Sequence, residues 1–268
     1  MTPMMPLKPV VPSPAATLVL VRDRPAGGVE VLLIQRHPRS KFAGGDFVFP
    51  GGKIETDDMP GDAPAWCAGL APDEATRRLV NAASPRDALG FWVGAIREAF
   101  EEVGILLAYG PGGSLVDAAR NGERLAAYRR KCLTDGSVFW LMLRQERLTL
   151  ATDRLVYFAH WITPEENPIR FDTRFFVAEA PPAQEATADQ QEIVGVRWLT
   201  VAEAFDALHR REISLRFPTL KNLKLLQGAS AAEVLAGLNG RIVPTIRPRV
   251  LGEGETRTIL YPGDPGYY

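Results

Sequence analysis

The stretch Arg97-Glu98-Ala99-Phe100-Glu101-Glu102-Val103-Gly104-Ile105 sets three carboxylates against an apolar helix face. At about 100° per residue, Trp92, Ala95, Ile96, Ala99, Phe100 and Val103 share one broad face, with Glu98, Glu101 and Glu102 roughly opposite. Like charges at i, i+3 and i+4 destabilise a helix by roughly 0.2–0.5 kcal/mol per pair, and a single Arg97 is too little to offset them. Two readings follow from the residues. Either this is the solvated face of an ordinary amphipathic helix, or the carboxylates are a set of hard oxygen ligands for Mg²⁺ or Mn²⁺. Upstream, Phe49-Pro50-Gly51-Gly52-Lys53-Ile54-Glu55 favours the second, because a Gly-Gly step after a strand turns tightly and leaves a backbone carbonyl near Gly51 to meet a ligand. The helix is specified at both ends: Ser84 as N-cap, Pro85 at N1, Asp87 at N3, and Gly104 at the C-terminal stop.

The run REAFEEVGI over 97–105 resembles the second half of the Nudix hydrolase box, and GGKIETDD over 51–58 resembles the first, with Asp58 where that family has Glu. About 38 residues separate Asp58 from Arg97, far more than the family's usual spacer, and an insertion here is similar to the peroxisomal coenzyme A diphosphatase subgroup and its bacterial relatives. The resemblance implies an α/β fold: a Nudix α/β/α sandwich with a mixed sheet, a helical insertion within the box and additional helices. It also implies that Glu98, Glu101, Glu102 and the Gly51 carbonyl hold Mg²⁺ or Mn²⁺, that Arg97 orients the glutamates, and that the reaction is hydrolysis of a diphosphate linkage. Arg36, Lys41, Gly45 and Phe49-Pro50-Gly51-Gly52 resemble the spacing of the coenzyme A hydrolases, with Lys41 in place of Arg. Arg36 and Lys41 are then candidates for a phosphate, with Gly45 allowing close backbone approach; a solvated basic loop is the plainer alternative. Many members carry a mobile acid on a later loop, for which Glu192 is the first candidate, followed by Asp189 and Glu185. The preferred substrate is coenzyme A or an acyl derivative. A nucleoside diphosphate sugar or another dinucleotide is the alternative, and a ligand-sensing, non-enzymatic Nudix-fold protein the third reading.

Composition agrees with a globular chain: of 268 residues, 46% are apolar and 24% charged. With 31 basic and 32 acidic residues, no strong field favours nucleic acid or an anionic membrane. Cys67 and Cys132 make neither a disulfide framework nor a metal-thiolate motif, which fits reduced thiols in cytoplasm. The Pro-broken start lacks a secretory core, no apolar run is long enough to span a membrane, and the final Gly-Tyr-Tyr is not a peroxisomal tripeptide, so a cytoplasmic location is expected.

In chain order, residues 1–14 are expected as a loose arm and 15–268 as a single elaborated domain, monomeric or homodimeric. Within it, 59–83 is the insertion and 241–268 a C-terminal extension. Residues 16–22 and 29–35 read as strands buried on both faces, joined by a Gly-Gly turn. The insertion turns helical near 72–81, and its Trp66, Leu70, Leu79 and Val80 suit a lid or side wall beside the pocket. Residues 105–108 read as a strand, 115–132 and 137–148 as added helices walling a larger substrate or forming a dimer contact. Strands follow at 155–163, 174–178 and 193–199, and helices at 201–210, 217–226 and 229–238. His160 reads as a satisfied wall histidine, and Arg174 as paired to Asp172 or a sheet-edge carbonyl rather than to a phosphate. The tail beyond 241 reads as extended segments that cover the domain or reach a partner.

Overall fold

The computed structural model describes residues 10–79, 81–252 and 258–267, with 118–121 as backbone only. In order the elements are β1 (Ser13–Asp23), β2 (Val29–Arg36), β3 (Phe47–Val48), β4 (Gly51–Lys53), α1 (Pro72–Arg78), α2 (Pro85–Val103), β5 (Ala108–Tyr109), α3 (Ala118–Cys132), α4 (Ser137–Glu146) and β6 (Thr149–Leu150). Then come β7 (Val156–Ile162), β8 (Phe171–Glu179), β9 (Ile193–Thr200), α5 (Val201–His209), α6 (Phe217–Leu223), α7 (Ala231–Leu238), β10 (Thr245–Ile246), β11 (Arg249–Leu251) and β12 (Thr258–Leu260).

An eight-stranded mixed sheet runs β10-β7-β8-β1-β2-β3, with β4 pairing β1 and β9 pairing β2. The β1–β8 pairing is parallel, while β1–β2, β1–β4, β2–β9 and β7–β8 are antiparallel. Because β1 is covered on both faces, its alternate side chains enter different cores: Leu18 and Leu20 join the core that α2, α3 and α4 build, whereas Val19 and Val21 join the core that α5 and α7 build. The result is the α/β/α sandwich with a mixed sheet that the box resemblance implied.

The signals around α2 act as expected. Ser84 Oγ accepts from Asp87 N–H, and Gly104 closes the helix at φ 76°. Two glycines not singled out in the sequence set how closely the chain passes over this helix. A Cβ on Gly90 would sit 2.5 Å from Met59 Cγ, and one on Gly94 would sit 2.6 Å from Ile54 Cδ1. Residues 54–59 therefore lie directly on α2, which brings Asp58 down to Arg97 despite the long insertion between them.

Three expectations change. The first strand starts at Ser13 rather than after 14, since Ser13 N–H donates to Arg170 O and Pro14 O accepts from Ile54 N–H; Pro is tolerated at a strand's start. Residues 1–9 and Val80 lie outside the described residues. The strand expected at 105–108 is confined to β5, because Ile105 to Leu107 are buried in the core and Leu106 pairs its backbone with the Gln184 amide. The insertion is not a lid: among the described residues, none of 59–83 lines the main cavity. Leu70 and Leu79 instead enter the core, α1 packs on α2, and Ala68 bonds to Leu150 and Thr152. Likewise α3 and α4 buttress α2 from behind, with Phe139 against Phe100; among their described residues only Cys132, at the end of α3, and the adjoining Leu133 reach the cavity.

Candidate active site

Glu98, Glu101, Glu102, Arg36, Gly51, Asp189 and Glu192 all line one cavity of about 670 Å³. The acidic side of α2 is not a solvated face. The Glu98, Glu101 and Glu102 side chains are 15%, 14% and 5% exposed. Burial pushes the Glu98 carboxyl up to about 7 against the pull of Arg97, and the Glu101 and Asp58 charges push the same way. Burial also raises Glu102 well above the usual range, with Glu98 adding to the rise and the Gly51 N–H and Arg36 opposing it. Glu101 rises by burial too, held back by Arg97. Three crowded carboxylates are thus short of positive charge.

Arg97 is the hub that holds them. It is almost fully buried and reaches Asp58 twice, Nε to Oδ1 at 2.6 Å and Nη2 to Oδ2 at 3.1 Å. Nη1 lies 2.9 Å from Glu98 Oε1 and 2.8 Å from Glu101 Oε2, and Nη2 donates to Lys53 O. Asp58, with no exposed surface, therefore completes the box from the far side of the insertion. The Gly-Gly turn is locked to the same helix: Gly51 N–H donates to Glu102 Oε2 at 2.8 Å, and a Cβ on Gly52 would lie 2.5 Å from Glu98 Oε1. Only glycine lets the turn come this near a carboxylate.

Behind α2, Arg129 of α3 ties the helix's C-terminal end to the loop between β8 and β9. Its Nε donates to Glu101 O at 2.9 Å and its Nη2 to Glu102 O at 2.7 Å, while Nη1 and Nη2 also reach Thr187 Oγ1 and O. A cation at the negative end of a helix is favourable as well as bonded. That loop carries all three of the acids considered from sequence. Asp189 Oδ1 accepts from Gln191, Glu192 and Ile193 N–H, while its Oδ2 is buried with no hydrogen-bond partner. The Glu192 side chain is 68% exposed and 4.0 Å from Arg36 Nη2. Glu185 does not line the cavity.

Of the basic-loop candidates, Arg36 lies in the cavity wall 3.6 Å from Glu102, with its Nε buried and without a hydrogen-bond partner. Lys41 and Gly45 do not line the cavity, whereas Phe42 and Ala43 between them do. Gly45 has φ 80° and spends its backbone on Arg36 and Gln35, so it shapes the turn. His160 is buried between Asp172 and Thr245, and Arg174 pairs with Asp172 at 2.7 Å over the Phe91 ring, both away from the cavity lining. What sequence reading missed is the opposite wall: Trp161, Phe217, Val250, Ile259 and Tyr261, the last three from the C-terminal extension. Their recurrence as apolar residues was visible, but not their place in the same cavity as the carboxylates.

Among the described residues, no group of three or more acidic, His or Cys side chains is already set to hold a metal ion. Glu101 and Glu102 are turned to Arg97 and Gly51 instead. The donors still suit a hard divalent cation, being carboxylate oxygens that include the orphaned Asp189 Oδ2.

A mixed sheet between helical layers, with a Gly-Gly turn locked to a helix bearing REx₂EExG, defines a Nudix-type diphosphate hydrolase. More closely, the sequence model of the NUDT19 Nudix domain matches residues 71–226, over half the chain, and the chain belongs to that family. It is 28% identical to the human protein named acyl-coenzyme A diphosphatase NUDT19, over 92% of this chain and 74% of that one. The chicken protein of the same name is 30% identical over 89% of this chain and 74% of its own. A crystal structure of a Nudix hydrolase from Alicyclobacillus acidocaldarius superposes with a TM-score of 0.71 at 25% identity, covering 87% of this chain and 99% of that one.

Proposed function

We propose that this hydrolase splits the diphosphate of coenzyme A or acyl-coenzyme A, giving adenosine 3′,5′-diphosphate and a phosphopantetheine or its acyl ester. The observation that carries it is the meeting of Arg36, the Gly51-Gly52 turn and three under-compensated carboxylates in one cavity. The names of the relatives support the substrate.

Glu98, Glu101, Glu102 and the Gly51 carbonyl are the groups to hold Mg²⁺ or Mn²⁺, with Asp189 Oδ2 in reserve. Bound cations neutralise diphosphate charge and make a water more acidic. The chain's own residues do the rest. Arg36, with its Nε unpaired, orients a phosphoryl oxygen. Arg97 keeps the glutamates from swinging away. Glu192 can reach inward without breaking a buried pair, and we assign it the proton of the attacking water. The water oxygen bonds to one phosphorus, the bridging P–O bond breaks, and the departing phosphate carries off the electron pair and is protonated. No described helix is long and apolar enough to cross a membrane. With two cysteines and no disulfide framework in the sequence, the compartment we assign is the cytoplasm.

The test is mass spectrometry of products after incubation with coenzyme A, acetyl-coenzyme A, ADP-ribose and nucleotide sugars, with Mg²⁺ or Mn²⁺. Adenosine 3′,5′-diphosphate is expected, and Glu101→Gln should raise the metal requirement and greatly lower turnover. Turnover of ADP-ribose or nucleotide sugars alone would replace the coenzyme reading; metal binding with no turnover would favour a sensor.

A further inference from the structure

The cavity continues well past the carboxylates. Its floor includes one row of residues in register across four adjacent strands: Lys53 on β4, Ala15 on β1, Thr173 on β8 and Trp161 on β7. Neighbouring strands lie about 4.8 Å apart, so three steps carry the floor roughly 14 Å from the Gly-Gly turn to Trp161. The chemistry changes along the way. Around β4 stand the charged groups. Around β7 stand Trp161, Phe217 and Tyr261, with Phe217 and Tyr261 stacked at 4.3 Å and Trp161 edge-on to both. Arg216, which also lines the cavity, is already paired with Asp46 at 2.5 Å and laid over Phe42. Two lining residues, Phe42 and Ile259, keep 37% and 41% of their surface exposed, so an apolar occupant would cover surface that water now meets.

Resting on the coenzyme A reading above, we propose that the β7 end of the cavity receives the acyl thioester of the substrate, and that Val250, Ile259 and Tyr261 of the C-terminal extension select the acyl group. The phosphopantetheine arm places about eleven atoms between its phosphate ester oxygen and sulfur. That is close to four peptide residues, or roughly 14 Å extended. A diphosphate held at the Gly-Gly turn therefore brings the sulfur to Trp161, and the acyl chain onto the wall that the C-terminal extension adds. The reverse orientation places a 3′-phosphate among aromatic rings, where half-exposed Arg216 already gives its Nε to Asp46 and Lys221, lying over the Phe217 and Tyr261 rings, does not line the cavity.

The test compares kcat/KM for coenzyme A, 3′-dephospho-coenzyme A and the acetyl, butanoyl and octanoyl thioesters, in the parental protein and in Ile259→Asp. Ile259 is exposed enough for the substitution to leave folding intact. The parental enzyme should gain with acyl length relative to coenzyme A. Ile259→Asp should lower the octanoyl-to-coenzyme A ratio on the order of tenfold, the scale of specificity set by a small change in an apolar pocket. A flat parental series, or an unchanged ratio in the variant, overturns the proposal. So does an equal loss on coenzyme A and its octanoyl ester, or a variant effect confined to discrimination of the 3′-phosphate, since either places the nucleotide on this wall. Turnover of ADP-ribose with none of any coenzyme A species overturns the coenzyme A reading, and this one with it.

Discussion

Replacing Asp58 with Ala should destabilise the protein and disarm the site together, although Asp58 lies outside the cavity lining. The Asp58 side chain has no exposed surface and meets Arg97 at 2.6 and 3.1 Å, while also accepting the Glu55 N–H at 2.9 Å. Removing one partner of a buried pair leaves the other charge uncompensated, which costs about 3–5 kcal/mol. Here Arg97 keeps Glu98 and Glu101, so the lower end of that range is expected. At roughly 2–4 °C per kcal/mol for a chain of this size, the melting temperature should fall by at least about 6 °C. Freed from Asp58, the guanidinium is drawn toward the glutamates. A displacement of about 1 Å in a reacting geometry costs up to about 100-fold in rate. Asp58→Asn keeps the shape and one acceptor, and should lose less of both. Urea denaturation with diphosphate hydrolysis on the same samples measures the two effects. A loss under about 1 kcal/mol with parental turnover for Asp58→Ala would refute the idea that Arg97 depends on this residue.

Gly52→Ala should lower turnover at least about tenfold with little change in melting temperature, because its Cβ displaces the Glu98 carboxylate rather than a core group. Arg129→Ala strips the last carbonyls of α2 and the Thr187 loop of a shared donor; urea denaturation should show a loss of roughly 2–3 kcal/mol, and Arg129→Lys should recover part of it. Burial alone raises the Asp172 carboxyl, but the His160 hydrogen bond and the Arg174 charge outweigh it, so the folded value lies below the usual one. The folded state then holds this proton less tightly than the unfolded chain. Its stabilisation is complete above the unfolded value of about 3.9 and disappears as pH falls through the folded one. The stability gap between parental protein and Asp172→Asn, followed by denaturation, should be constant above about pH 5 and narrow toward pH 3; a gap independent of pH would contradict the assignment.

Local chemistry made much of this protein legible from its residues. The Ser84 cap and the Gly104 stop fix their helix through bonds to neighbours a few positions away, so the pattern and the structure coincide. The same holds for β1 and β2, whose unbroken Val and Leu content requires cover on both faces. The carboxylates of α2 were visible as a set, but their burial was not, since a helical wheel gives direction and says nothing of what stands opposite. Which acid lies near which base was settled across long sequence separations: Asp58 against Arg97 through the close passage over Gly90 and Gly94, and Arg129 beneath Glu101 and Glu102. Trp66 and Leu70 looked like material for a lid, yet Leu70 went into the core and Trp66 packed against it, and the free wall fell to Val250, Ile259 and Tyr261. Apolar residues announce that they will be covered, not by what. That choice belongs to the packing of whole elements, because burial is non-directional whereas caps and turns are bonds of fixed geometry.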